Sequence, residues 1–275
     1  MYGHELGVFQ PVIQDLRDTA SRRLLGALSW ASQTASRQQD EVGLSRLRIL
    51  GGPLRGTYVL APALTRLSFA LGTYQRHVVA VMEQFVVEGA TAYDLGAHMG
   101  YFSLLLARLV GPAGNVFSFE PDPRNLRALR RNIRFNRATN VRVVPAAVAE
   151  HSGRLTFASF AFSSVSHIAD GRRVMNDARL LEVDSVSLDD FVYVTGNPPP
   201  AFIKIDVEGA EVRALGGARR ILEEARPAIV VEVRRDEWQT LENLMASLGY
   251  RARVLGRGPK TVDAREIADV LFQPH

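Results

Sequence analysis

Acids and a lysine stand where a buried strand should be apolar. The run Phe202-Ile-Lys-Ile-Asp-Val-Glu-Gly-Ala-Glu211 puts Lys204, Asp206 and Glu208 at alternate positions. Strand side chains alternate between faces, so these three share one face and Ile203, Ile205 and Val207 the other. Charge in a buried strand is costly unless it is paired. Lys204 is one of only two lysines in the chain, with Lys260. Glu232 interrupts a second apolar run, Val230-Val-Glu-Val233. Such carboxylates could take a proton from an attacking group, and the ammonium could hold a carboxylate or steady an oxyanion. Without chemistry, an ion pair of Lys204 with Asp206 or Glu232 would account for the lysine. Glu208 could also act as dipole partner to the helix that follows.

A second pattern lies upstream. An apolar strand reaches Asp94, the turn Gly96-Ala97-His98-Met99-Gly100 follows, and a helix and a strand then lead to Glu120. From Gly100 to Glu120 is 120 − 100 = 20 residues. That spacing sets a carboxylate beside the ribose of a nucleotide held on a βαβ unit. The turn lacks the Gly-x-Gly-x-x-Gly of dinucleotide folds. Asp94 at its mouth repels a pyrophosphate and attracts an ammonium group. A zwitterionic amino acid joined to adenosine suits such a turn, and S-adenosylmethionine is one. Glu120 is expected to accept hydrogen bonds from both ribose hydroxyls. Asp94, Glu120, Asp206 and Glu232 all fall at or near the carboxyl ends of strands, where open parallel sheets bind ligands.

The elements that must carry these residues follow from periodicity. Strands read at 92–96, 116–120, 141–147, 202–206 and 228–233, with helices at 101–110, 123–136, 210–224 and 237–248. The strands are apolar on both faces, as in a parallel sheet covered by helices on each side. Short strands at 154–158 and 180–188 flank a polar loop, and strands at 250–255 and 269–272 close the chain. Upstream stand a helix at 73–88, a short strand at 56–60 and a basic amphipathic helix at 12–39. That first helix either caps its own domain, the preferred reading, or makes peripheral contact with a membrane or partner. A length of 275 residues suits one domain plus an extension. The extension is 1–72, a helical and strand cap or a homo-oligomer contact, and the domain is 73–275.

Composition narrows the chemistry. The chain is 47% hydrophobic, as an ordinary globular core requires. It has no cysteine, which excludes disulfides, thiolate zinc and a cysteine nucleophile. No apolar run approaches the ~20 residues of a membrane span, and residues 1–11 lack a leader pattern. A cytoplasmic location is the expectation. A formal net charge of +4 does not call for nucleic acid. Arg124, Arg127, Arg131 and Arg134 form one stripe on the second helix of the domain, either a solvated face or a contact for a phosphate-bearing partner.

Several motifs occur in order: Asp94-Leu-Gly-Ala-His-Met-Gly-Tyr-Phe-Ser, Phe119-Glu-Pro-Asp-Pro, Ala146-Ala-Val, Val186-Ser-Leu-Asp-Asp-Phe and Ile203-Lys-Ile-Asp-Val-Glu-Gly-Ala-Glu. Together they resemble the FkbM-type family of S-adenosylmethionine-dependent methyltransferases over roughly residues 73–250. Gln75 and His98-Met99 depart from the family pattern. The resemblance implies an α/β class I methyltransferase (Rossmann-like) three-layer sandwich. Its seven-stranded, mostly parallel sheet would carry a C-terminal antiparallel strand, with an N-terminal helical extension before it. It implies O-methylation of a small natural product, sugar, glycolipid or other glycan hydroxyl. By the same resemblance Asp94 and Gly96 bound the methionine part of S-adenosyl-L-methionine, Ala97, His98 and Gly100 are further cofactor-binding positions of the turn, and Glu120 holds the ribose. Pro121, Asp122 and Ala147 border the adenine, and Asp206 stands near the transferring methyl.

Two assignments stay open for the proton. In the first, which is preferred, Asp206 or Glu208 is the general base and Lys204 its partner. In the second, Asp206 and Glu232 ligate Mg2+, which lowers the hydroxyl pKa. His167 in the polar loop is a further candidate base that could reach over the pocket. His98 orders the turn or touches the cofactor, and His77 is structural. The rival classes are a nicotinamide oxidoreductase and a non-catalytic nucleoside-binding adaptor. The first requires an unrepelled pyrophosphate site, and the second has no use for Lys204 and Asp206 in a buried strand.

Overall fold

The computed structural model describes residues 44–62, 65–159, 167–168, 179–256 and 267–275. The helix expected at 12–39 lies outside them. Seven strands make the main sheet: β3 (Thr91–Leu95), β4 (Asn115–Phe119), β5 (Val141–Val144), β10 (Phe202–Ile205), β11 (Ala228–Arg234), β12 (Tyr250–Val254) and β13 (Ile267–Pro274). Their order is β12-β13-β11-β10-β3-β4-β5. From β11 across to β5 every pairing is parallel. β13 runs antiparallel to both of its neighbours. The expected seven-stranded sheet with its reversed C-terminal strand is present.

The strands are apolar on both faces because both faces are covered. On one side Ala92, Val116, Phe202 and Val230 meet α1 (Arg66–Leu71), α2 (Arg76–Phe85) and α3 (Tyr101–Val110). On the other, Tyr93, Phe117, Ile203 and Val231 meet α5 (Glu211–Gly216), α6 (Arg219–Glu224) and α7 (Arg235–Ser247). α3 is apolar nearly all round, and Phe102, Leu104, Leu105 and Leu106 are all buried. Burial of each such side chain stabilises by roughly 1.5–3 kcal/mol, so packing rather than propensity holds this helix.

Residues before 73 join the same core. β1 (Ser45–Arg48) and β2 (Tyr58–Ala61) form an antiparallel hairpin, and Leu47, Leu54 and Val59 pack with α1–α3. The hairpin docks on α4 (Pro123–Phe135) through two asparagines. Asn132 Oδ1 accepts from the Leu60 amide at 2.8 Å, and Asn136 Oδ1 from the Tyr58 amide at 2.9 Å. Neither β1 nor α1 is evident from periodicity, because both are too short to show a period.

Two expected elements are broken, each for a local reason. The strand expected at 141–147 stops at Val144, before Pro145, which has no amide to continue a ladder. Residues Ala147–Val148 then form β6 in a separate sheet, with β7 (Gly153–Ser159), β8 (His167–Ile168) and β9 (Arg179–Val186) in the order β6-β9-β7-β8. The helix expected at 210–224 divides into α5 and α6 at Gly217. A Cβ on Gly217 would lie 2.4 Å from the carbonyl oxygen of Ala149, so only glycine lets this chain cross so closely.

Candidate functional site

A cavity opens at the carboxyl ends of β3, β4 and β10, between the turn after β3 and the turn after β10. Its wall joins the two patterns found in the sequence. Gly96, Ala97, His98, Glu120 and Pro121 line one part, and Lys204, Asp206 and Glu208 another. Ala146, Ala147, Val148, Phe119 and Phe157 make an apolar slot beside Glu120.

The turn after β3 is held by its own amides. Gly96 and Ala97 both donate to the carbonyl of Phe119, at 3.0 and 2.9 Å. The amide of His98 donates to Glu120 Oε2 at 2.8 Å, and that of Gly100 to the carbonyl of Ala97 at 2.7 Å. These amides are spent within the protein, so the turn offers no cradle of bare N–H groups to a pyrophosphate. Gly96 has a φ of 75°, and a Cβ there would stand 1.8 Å from the carbonyl oxygen of Asp206. The two turns therefore touch backbone to backbone, and the Asp206 amide donates to the carbonyl of Leu95 at 3.0 Å.

Glu120 is buried and well supplied with donors. Besides His98, the Asp122 amide reaches Oε1 at 2.8 Å and Asn125 Nδ2 reaches it at 3.3 Å. Burial still pushes the carboxyl up to about 7, against the pull of those three bonds. A carboxylate has about four acceptor sites, and three are filled. One site is left for a further donor. Acceptance from two more, as expected from sequence for the ribose hydroxyls, needs the long Asn125 contact to give way.

Asp94 is placed differently from the expectation. It has no exposed surface and lies behind the cavity wall. Ser103 Oγ of α3 donates to its Oδ2 at 2.6 Å, and Ser118 Oγ donates to Ser103 Oγ at 2.8 Å. Lys204 stands opposite Asp94 in the β10–β3 register, with Nζ 3.9 Å from Oδ1. Burial raises the Asp94 carboxyl, and Lys204 and Ser103 oppose that rise. Asp94 therefore faces Lys204 from behind the wall, and its buried Oδ1 has no hydrogen-bond partner among the described residues. Gly100 and Asp122 also stand back from the cavity wall. Asp122 caps α4 by accepting from the Arg124 amide at 2.7 Å, and Ser159 Oγ donates to its other oxygen.

The acid end is crowded. Lys204 Nζ donates to Asp206 Oδ2 at 2.9 Å and lies 4.9 Å from the centre of the Phe102 ring. Burial pulls the ammonium down, but Asp206 and Asp94 outweigh it and hold the lysine above its ordinary value. The ion pair with Glu232 weighed from sequence is not the one formed. Carboxylate oxygens of Asp206, Glu208 and Glu232 lie within 4.8 Å of one another. Burial, then Asp206, pushes Glu208 up to about 7, with Lys204 and Arg234 opposing. Burial, then Asp206, Asp269 and Glu208, pushes Glu232 up to about 8. Asp269 faces Glu232 across the β11–β13 pairing and bonds His77 Nε2, while Gln75 Nε2 reaches Glu232 at 3.4 Å. Glu208 sits in the turn after β10 at a φ of 52°. The helix-facing role goes instead to Glu211, whose Oε1 accepts from the Gly209 amide at 2.9 Å.

Part of the wall joins two residues of the first motif, Tyr101 and Phe102, to two outside the motifs above, Phe69 and Tyr74. Phe69, Tyr74, Tyr101 and Phe102 line the cavity next to Lys204 and pack on one another, with centroids 4.5–5.9 Å apart. They come from three separate segments, and only the fold gathers them. Asn125 could have been found as the residue one helical turn into α4, facing back to Glu120. The backbone of His167 pairs with Ala158 in β8, and its side chain lies outside the described residues.

Comparison with known proteins adds the lineage. Residues 94–252, more than half of the chain, match the Methyltransferase FkbM domain. The chain is similar to the hexuronic acid methyltransferase AglP of Haloferax volcanii, 25% identical over 158 residues, covering 57% of this chain and 61% of that one. It is also similar to a protein-L-isoaspartate O-methyltransferase of Methanothrix thermoacetophila, 36% identical over 70 residues, covering 25% of this chain and 33% of that one. Among solved structures, the FkbM methyltransferase of Methylobacillus flagellatus KT is 25% identical with a TM-score of 0.47, covering 66% of this chain and 43% of that one. The chain thus spans less than two thirds of the length of each of these relatives. The domain match takes in the turn, Glu120 and the Lys204–Glu211 run together, and the chain belongs to the FkbM methyltransferase family.

Proposed function

We propose that the protein transfers a methyl group from S-adenosylmethionine to a hydroxyl oxygen of a small-molecule or glycan acceptor. The observation that carries this reading is the cavity itself, which joins an apolar slot beside Glu120 to the carboxylates of Asp206 and Glu208. The residues fit that cofactor. The slot of Ala146, Ala147 and Phe157 suits an adenine, Glu120 has an acceptor site left for the ribose, and the turn has no cradle for a pyrophosphate. When bound, S-adenosylmethionine supplies an electrophilic methyl on a positively charged sulfur.

The remaining work falls to the protein. A hydroxyl must give up its proton as its oxygen attacks, and Glu208 is the better placed to take it. Asp206 Oδ2 is already engaged by the buried Lys204 ammonium. Glu208, raised to about 7, is poised for proton transfer near neutral pH. Lys204 fixes the Asp206 carboxylate, and the aromatic wall excludes water from the reacting end.

The test is direct. S-adenosylhomocysteine should bind at micromolar concentration and Glu120→Ala should abolish it. A screen against sugar, macrolide and lipid-linked hydroxyls should then find the acceptor. Tight NAD binding without S-adenosylhomocysteine binding would sink the reading. A metal-assisted variant draws support from the close approach of Asp206, Glu208 and Glu232, whose oxygens suit Mg2+. Held there, a divalent cation would lower the hydroxyl pKa. Activity lost to a chelator and restored by magnesium would select that variant.

A further inference from the structure

Basic charge is segregated in this chain. Residues 123–149 contain Arg124, Arg127, Arg130, Arg131, Arg134, Arg137 and Arg142 and no acid. Residues 44–82 likewise hold five arginines and no acid. The fold brings the two stretches together, because Asn132 and Asn136 dock β2 on α4. Arg127, Arg130, Arg134 and Arg137 are exposed on or just beyond α4, at helical spacing. Arg46 and Arg48 are exposed on β1, with Ser45 and Leu47 turned inward. Arg46 bridges the two elements, its guanidinium 4.3 Å from the Tyr58 ring centre and 4.7 Å from that of Phe135.

Apolar side chains are exposed among these charges. Phe135, under Arg46, is 37% exposed. Leu50 continues the outward alternation of Arg46 and Arg48 and is 44% exposed. An arginine-rich strip with outward leucine and phenylalanine matches the interface of an anionic bilayer. There the guanidinium groups meet headgroup phosphates and the apolar side chains enter the acyl boundary. A nucleic acid would account for the arginines but leave Leu50 without a partner.

We propose that the face built from α4 and β1 is a docking surface for an anionic membrane. This site is separate from the cavity and does not depend on the reading of the reaction. The same helix borders the cavity at Asn125, at most about 15 Å along its axis from Arg134. Docking therefore keeps the cavity near the lipid surface.

Sedimentation of the full chain with vesicles tests this. Vesicles of phosphatidylcholine with about one third phosphatidylglycerol should carry the protein down at low salt, and pure phosphatidylcholine vesicles should not. The triple variant Arg130→Gln, Arg134→Gln, Arg137→Gln should bind about a hundredfold more weakly. Its circular dichroism melting curve should match that of the parent. Leu50→Ser should weaken vesicle binding without changing the salt dependence. Equal binding to both vesicle types would overturn the proposal, as would unchanged binding by a folded triple variant. Displacement from anionic vesicles by single-stranded RNA at equal phosphate concentration would overturn it in favour of a nucleic-acid face.

Discussion

The two halves of the cavity treat their carboxylates in opposite ways. Around Glu120 the protein supplies three hydrogen-bond donors to one acid, all from residues within the turn or the start of α4. Around Glu232 four acids, Asp206, Glu208, Glu232 and Asp269, draw on the Lys204 ammonium, the His77 imidazole, the Gln75 amide and the charge of Arg234. The first half is finished before any ligand arrives, as a rigid binding site should be. In the second, burial and the neighbouring acids together raise Glu208 and Glu232. Binding calls for the one condition and proton transfer for the other.

Substitutions can break this contrast. The largest effect is expected from Glu208→Gln, which should lower kcat by about 10²–10⁴-fold and leave S-adenosylhomocysteine affinity near that of the parent. Equal losses in kcat and affinity would mean that Glu208 holds the cofactor instead. Lys204→Met leaves Asp94 buried beside nothing but Ser103, and urea unfolding should show a loss of about 3–5 kcal/mol. Little change in the unfolding midpoint would show that Asp94 is neutral in the fold. Glu120→Gln should weaken S-adenosylhomocysteine binding by about 10–100-fold in calorimetry, with a much smaller effect on kcat at saturation.

Both halves respond to pH. Glu120 and Glu208 are raised to about 7 and Glu232 to about 8, from 4.5 in an open chain. The folded state therefore binds these protons more tightly than the unfolded state. Their contribution to stability is complete below about 4.5 and is lost as pH rises through about 7 to 8. Thermal unfolding followed from about pH 5 to about pH 8 should show a falling midpoint, and Glu208→Gln should flatten the slope. Activity should climb over the same window, because Glu208 works only after it has lost its proton. The smallest effect belongs to Asp122→Ala, which removes the cap of α4 and should cost about 0.5–2 kcal/mol by the same unfolding measurement.

Much of this was legible from residue spacing. The alternating charges pointed to Lys204, Asp206 and Glu208 as a group, although β10 ends at Ile205 and Glu208 joins from the turn that follows, and 20 residues of βαβ spacing linked the glycine turn to Glu120. Tertiary register was not legible. Nothing in the sequence says that Lys204 lies level with Asp94, yet that alignment sets a buried carboxylate beside the ammonium, behind the cavity wall. The aromatic wall was hidden for the same reason, since Phe69, Tyr74 and Tyr101 belong to separate elements. Pro145 is readable in principle, because a residue with no amide does not suit the middle of a strand.

Gly96 sets how closely the two walls of the cavity approach. They meet there main chain to main chain, so the gap between them has no side-chain shim. Exchange of side chains in the aromatic wall, the acid turn or the hairpin would leave that separation in place. It rests on one position, where even an added methyl would collide with the carbonyl oxygen of Asp206.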